Sequence, residues 1–176
     1  MNDREALYSS SLYDAAASDN AAAEVYESIV LMDKLFSENE EYIKIINSHS
    51  IPLLEREALI DEAFSGNVHI YALNFIKLLA KRRSADIFAS CVKHYEKLYF
   101  KAQNIERAKI VTAFELGDDK KKEIAEKIAS STGKEIIPEF SVDPSIMGGI
   151  VIETEGSSID ASVKTKLDSI KRFITK

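Results

Sequence analysis

The chain has 176 residues, 45% hydrophobic and 30% charged, with 6 Gly, 3 Pro, 1 Cys and a net charge of −6. This composition excludes collagen-like, low-complexity and intrinsically disordered chains and fits an ordered, helix-leaning protein of one large or two small domains. No uncharged apolar run approaches the ~18 residues a membrane span needs. Met1-Asn2-Asp3-Arg4-Glu5 lacks the basic and apolar regions of a signal peptide, and a lone Cys91 forms no internal disulfide. A soluble protein of the reducing cytoplasm is therefore expected, with no direct membrane insertion. The acidic balance argues against nucleic acid or anionic lipid as main partner. Charge is unevenly spread, with four Lys/Arg against fourteen Asp/Glu in residues 1–66 and nine against three in residues 67–109. Such asymmetry fits helices that attract one another or simply two solvated faces.

Up to residue 105 the chain has one Gly and one Pro, and its apolar residues recur at helical spacing. Val25, Ile29, Met32 and Phe36 form one stripe. Tyr71, Phe75, Leu78 and Leu79 form a second, and Phe88, Cys91, Val92, Tyr95, Leu98 and Ala102 a third. Six helices are predicted, at about 3–18, 20–37, 39–47, 52–64, 68–82 and 84–105. Pro52 suits the first turn of the fourth helix, and Ser65-Gly66-Asn67 ends it. Lys81-Arg82-Arg83 places positive charge at the C-terminus of the fifth, and Ser84 is positioned to cap the sixth. Short connections imply a compact helical bundle.

Beyond residue 106 the pattern changes. Ala108–Phe114 is β-branched and reads as a strand, Asp118–Ser131 as a helix closed by Thr132-Gly133, and Glu135–Val142 as a strand alternating Ile136, Pro138, Phe140 and Val142. Pro138 demands an edge position or a bulge. Asp143-Pro144 turns the chain into a strand at Gly149–Glu153, and Glu155-Gly156 turns it again. A last helix from about Asp160 carries Val163, Leu167, Ile170 and Ile174 on one face. The predicted fold is α+β and mostly helical: a six-helix bundle over residues 1–105, then a small βαββα domain over 106–176 that is expected to lean on a partner and to be poorly ordered alone.

No catalytic constellation emerges. His49, His69 and His94 fall on three different elements, without HExxH or CxxC spacing. Cys91 and His94 are two ligands lacking a third, so no metal or cofactor is expected. Glu55/Glu57 and Asp61/Glu62 lie within an acidic surface and read as solvated helix faces. There is no GxSxG elbow, and Cys91 sits mid-helix, away from an activating N-terminus. Gly148-Gly149 is followed by Ile-Val-Ile, so it is no phosphate loop, and the C-terminal part lacks the aromatics and basic face of a single-strand nucleic-acid binder.

The segment Val142-Asp143-Pro144-Ser145-Ile146-Met147-Gly148-Gly149-Ile150, followed by Ile159-Asp160-Ala161-Ser162-Val163, resembles the C-terminal signature of the delta-subunit family of bacterial F-type ATP synthases. The mitochondrial counterpart is the oligomycin-sensitivity-conferring protein. Tyr8-Ser9-Ser10-Ser11-Leu12 is similar to the family's opening, and Asn74-Phe75-Ile76-Lys77-Leu78-Leu79, followed by Arg82 or Arg83, to an element of its fifth helix; together the matches run from about residue 5 to 174. The sequence departs from the family pattern at Ala161 (commonly Gly), Lys164 (commonly Arg), and Ser9 and Ser11 (usually Ala).

The resemblance implies a non-catalytic stator subunit, peripheral on the cytoplasmic face of the cell membrane, joining the catalytic alpha/beta hexamer to the b-subunit stalk. It implies that an N-terminal segment of an alpha subunit docks on the first and fifth helices. There it would meet Tyr8, Leu12, Ala15, Ala16, Phe75, Leu78, Leu79 and Arg82. Phe75, Leu78 and Leu79 are equally readable as bundle core. The C-terminal end of the b subunit would meet the small domain, where Gly148, Gly149, Ile150 and Asp160 match the motif. Turn geometry and helix capping by Asp160 would account for those four residues too. The rival reading is a helical adaptor with an unrelated partner.

Overall fold

The computed structural model describes residues 3–154 and 156–167. Its elements are helices α1 (Asp3–Ser18), α2 (Ala22–Glu38), α3 (Glu40–Asn47), α4 (Leu53–Phe64) and α5 (Ile70–Lys81). A 3₁₀ turn at Ala85–Ile87 and α6 (Phe88–Gln103) follow. Then come β1 (Ile105–Thr112), α7 (Asp118–Thr132), β2 (Glu135–Val142), a 3₁₀ turn at Pro144–Ile146, β3 (Ile150–Thr154) and β4 (Ser158–Asp160). Residues 163–167 are again helical; the rest of the predicted last helix, with Ile170 and Ile174, lies outside the described residues. The chain divides into two compact units, one ending at Tyr99 and the other starting at Phe100.

In the helical unit the α2 stripe behaves as its spacing requires. Val25, Ile29, Met32 and Phe36 are all buried, each contributing about 1.5–3 kcal/mol of apolar transfer. Phe36 is the aromatic centre, its ring 5.1 Å from Phe88, 5.4 Å from Phe64 and 5.8 Å from Tyr42. On α5 the buried set is Ala72, Leu73, Phe75, Ile76, Leu79 and Ala80, which leaves Leu78 40% exposed and Tyr71 half-buried. The predicted stripe of that helix is thus turned partly toward solvent, because its core side meets several helices.

Polar groups tie the bundle together at its helix ends. Arg56 on α4 is 3% exposed, and its guanidinium donates to the carbonyls of Ile46 (2.8 Å) and Ala80 (2.6 Å) in the last turns of α3 and α5. Cation and helix C-termini attract, so one buried arginine closes two helices. The Ala85 N–H is capped by Asn47 Oδ1 (2.9 Å), 38 residues away, and not by Ser84, whose hydroxyl donates to the Arg82 carbonyl. Pro52 is the residue before α4 and not within its first turn. Lys77 and Asp61 form an ion pair between α5 and α4 at 2.5 Å.

The second unit is a four-stranded mixed sheet in the order β2-β1-β3-β4, with β1 parallel to β2 and the other pairs antiparallel. The β1–β2 parallel pair is joined through α7, and Pro138 sits on the edge strand β2. Its core is thin: Ala108, Ile110 and Ile128 are buried, with Ile124, Ile136, Phe140, Ile150 and Ile152 packed against them.

Two expectations change here. The first strand starts at Ile105, not Ala108, because Ile105, Glu106 and Arg107 pair with Glu135, Ile136 and Ile137, so the preceding helix ends at Gln103. Asn104, at φ +58°, makes the break. The second change is an added strand, β4, paired with β3 where the sequence reading had only a turn.

Candidate functional site

The N-terminal end of α1 meets the C-terminal end of α5. Arg4, Glu5, Leu7 and Tyr8 line one cleft of about 760 Å³ with Arg82, Arg83, Ser84, Asp86 and Ile87. At the opposite ends Tyr71 donates its hydroxyl hydrogen to Asp19, which also pushes the Tyr71 pKa up. The two helices therefore run antiparallel, and Tyr8, Leu12, Ala15 and Asp19 at helical spacing run along Tyr71, Phe75, Leu78 and Arg82 in reverse.

The predicted residues on these helices divide by depth. Leu12, Ala16, Phe75 and Leu79 are buried, at 8%, 0%, 6% and 0% exposure. Tyr8 is half-buried, and Ala15, Leu78 and Arg82 are exposed. The accessible strip thus combines small and apolar groups above a packed floor. Small residues also allow α1 to lie close to α6. Ser9 is fully buried, its hydroxyl within hydrogen-bond reach of the Glu5 carbonyl (2.7 Å) and the Cys91 carbonyl (3.0 Å).

Sequence reasoning did not single out Leu7 or Arg4, and it marked Arg83 only as a helix-end charge and, as an alternative to Arg82, as the arginine that follows the fifth-helix element. Leu7, 65% exposed, departs from the α1 core spacing of Ser9, Leu12 and Ala16, a signal readable only once that core face is known.

The C-terminal motif is brought together by the backbone. Gly148, Gly149 and Ile150 lie against Asp160, Ala161, Ser162 and Val163: the Ala161 N–H donates to Ile150 O and the Val163 N–H to Gly148 O, both at 2.9 Å. Gly149 has φ +81°, and a Cβ there would lie 2.4 Å from the Ala161 carbonyl oxygen. Only glycine permits that approach. Asp143 accepts the Ser145 N–H at 2.9 Å, initiating the 3₁₀ turn that places the buried Ile146.

Asp160 accepts the Ser162 N–H (2.9 Å) and the Thr165 hydroxyl (2.6 Å). The Thr165 bond is the larger cause holding its carboxyl below the usual range. The helix that follows is capped by Ser162 Oγ, which accepts the Thr165 N–H at 3.2 Å. Asp160 orients this cap and is not the cap itself, a correction to the sequence reading.

No cluster of three or more His, Cys, Asp or Glu suited to a metal occurs among the described residues. Burial pushes the Cys91 thiol up to about 11, which makes it a poor nucleophile. His69 is used structurally, its Nδ1 accepting the Tyr71 N–H at the start of α5. No helix of the described residues is long and apolar enough to cross a membrane.

The sequence profile described as ATP synthase delta (OSCP) subunit matches residues 5–174. The chain belongs to the ATP synthase delta (OSCP) subunit family. Among similar proteins, the ATP synthase subunit delta of Metamycoplasma arthritidis is 30% identical over 176 residues, covering 100% of this chain and 98% of that one. That of Gemmatimonas aurantiaca is 32% identical over 129 residues, 73% of this chain and 70% of that one. A chain in the Toxoplasma gondii mitochondrial ATP synthase hexamer superposes with a TM-score of 0.69 at 14% identity, covering 98% of this chain and 97% of that one; the likeness shows the fold. As a member of the ATP synthase delta (OSCP) family, the chain is a non-catalytic stator subunit of the F-type ATP synthase, and its partners are other subunits of that complex.

Proposed function

We propose that the two parts of the chain hold two different partners. Residues 1–105 bind the catalytic alpha/beta hexamer through an N-terminal segment of an alpha subunit lying along α1 and α5. Residues 106–176 bind the C-terminal end of the b subunit. The complex would place the protein peripherally on the cytoplasmic face of the cell membrane. A stator subunit needs such a pair of grips, since the hexamer turns with the rotor unless it is tied to the stalk.

The observation that carries the first grip is the antiparallel α1/α5 pair, with accessible Ala15 and Leu78 and half-buried Tyr8 over the floor of Leu12, Phe75 and Leu79. An amphipathic helix buries its apolar face in such a groove. For the second grip, Met147, Ile159 and Val163 are exposed at 70%, 57% and 40% on and beside the Gly148-Gly149 turn. They supply apolar area that the fold itself leaves uncovered.

The test is binding of the full chain to delta-depleted catalytic hexamer, with Leu78→Asp as the variant. Leu78 is 40% exposed, so its substitution spares the core, whereas Leu12→Asp would bury a carboxylate. Tight one-to-one binding that Leu78→Asp weakens by tenfold or more supports the groove. Binding that ignores this change moves the site elsewhere. For the stalk, Met147→Asp should weaken binding to the soluble part of the b subunit and leave hexamer binding intact.

A further inference from the structure

We propose that Arg4, Arg82 and Arg83 form a carboxylate clamp at one end of the α1/α5 groove, which receives the acidic end of the docked helix and so sets its direction. This inference rests on the groove reading above. The three guanidinium-bearing residues converge from the start of α1 and the end of α5 on the cleft of about 760 Å³. Among the described residues, none of these guanidinium groups has a hydrogen bond or ion pair. The other charged side chains lining the cleft are Glu5 and Asp86, and the Asp86 carboxylate is already hydrogen-bonded by Asn47 Nδ2 at 3.3 Å.

The backbone gives a second, independent reason. Helix α5 ends in a paired arrangement in which the Arg83 N–H donates to Ala80 O (3.1 Å) and the Ser84 N–H to Leu79 O (2.9 Å). Arg83 occupies the left-handed position of this motif, at φ +53°. Glycine takes that position without strain and is its usual occupant. A long cationic side chain at a strained site, aimed at a cleft that already holds two other arginines, fits a binding role better than a folding one.

Arginine recognises carboxylates through paired, planar N–H donors, and a docked helix would shield these contacts from water. The ligand is therefore the Asp or Glu side chains at one end of an amphipathic helix. The apolar strip beside Tyr8 and Leu78 supplies affinity without direction, and the clamp at one end supplies the direction.

The test uses the full chain and delta-depleted hexamer, with the double variant Arg82→Gln/Arg83→Gln, the single variant Arg83→Gly, and Leu78→Asp. The double variant should weaken binding about tenfold and flatten its dependence on salt between about 50 and about 300 mM. Arg83→Gly should raise the thermal midpoint of the free chain while weakening hexamer binding, a split that a purely structural arginine would not produce. Inorganic phosphate at matched ionic strength should not compete; competition would assign the cleft to a free anion and overturn the clamp. Loss of binding in Leu78→Asp with unchanged binding in both arginine variants would overturn the clamp and leave the groove standing. Binding insensitive to Leu78→Asp would remove the groove and the clamp with it.

Discussion

Replacing Gly149 by Ala separates architecture from contact at the motif shared by the last two strands. At φ +81° an L-residue costs about 1–2 kcal/mol. The added Cβ would also lie 2.4 Å from the Ala161 carbonyl oxygen and 3.0 Å from Ser162 Cα, both backbone atoms without a rotamer to yield. The 148–150 and 161–163 segments must then separate. This stretches the two 2.9 Å bonds between Ala161 N and Ile150 O and between Val163 N and Gly148 O, each contributing about 1 kcal/mol. The total is about 3–4 kcal/mol, placed on a unit whose buried core is Ala108, Ile110 and Ile128.

Amide hydrogen exchange of the full-length variant should therefore show protection between residues 140 and 167 falling about 100-fold or more, with the helical unit unchanged. Gly156→Ala, where a Cβ meets nothing within 4 Å, serves as the control and should change little. Unchanged protection in Gly149→Ala together with lost binding to the b subunit would refute this reasoning and make Gly149 a contact residue.

Three further outcomes are expected. Arg56→Met keeps the bulk of the side chain but removes both donors to Ile46 and Ala80. It should cost the helical unit about 2–4 kcal/mol, a thermal midpoint lower by about 10–20 °C, and a shift under about 2 °C would show that those carbonyls find other partners. The Cys91 thiol, raised to about 11 chiefly by burial, favours the protonated fold. Its stabilising contribution is complete below pH 9.0 and is lost as pH rises toward about 11, so Cys91→Ala should flatten that alkaline decline, and rapid modification of the native thiol at pH 8 would contradict its burial. Asp160 is held below 3.8, so its bonds to Ser162 and Thr165 persist at neutral pH and fail as pH falls through that depressed value. The Ser162 and Thr165 amide resonances should titrate together, and a midpoint at or above 3.8 would reject the assignment.

Helical periodicity alone determined the first half of this protein to within a few residues. The i, i+3, i+4 spacing of Val25, Ile29, Met32 and Phe36 can bury one face only as a helix, and all four are buried. Pro138, with no N–H to give a central strand, limited β2 to an edge position or a bulge, and the sheet order puts it at the edge. The motif at Val142–Ile150 carried the family, and Gly149 shows why: a backbone oxygen occupies the space of any side chain there.

Other features depended on residues distant in sequence. The start of β1 at Ile105 follows from pairing with Glu135, and β4 from pairing with β3, partners that local propensity does not name. Leu79 and Leu78 are adjacent in the same apolar run, yet one is fully buried and the other 40% exposed, because burial depends on which neighbouring helices cover each side. The same holds for charge. Charge counting does not separate Arg56 from Arg83, but one closes two helix ends in the core and the other lines an open cleft. Periodicity tells a chain which face to bury; only the packed structure decides what remains outside for a partner.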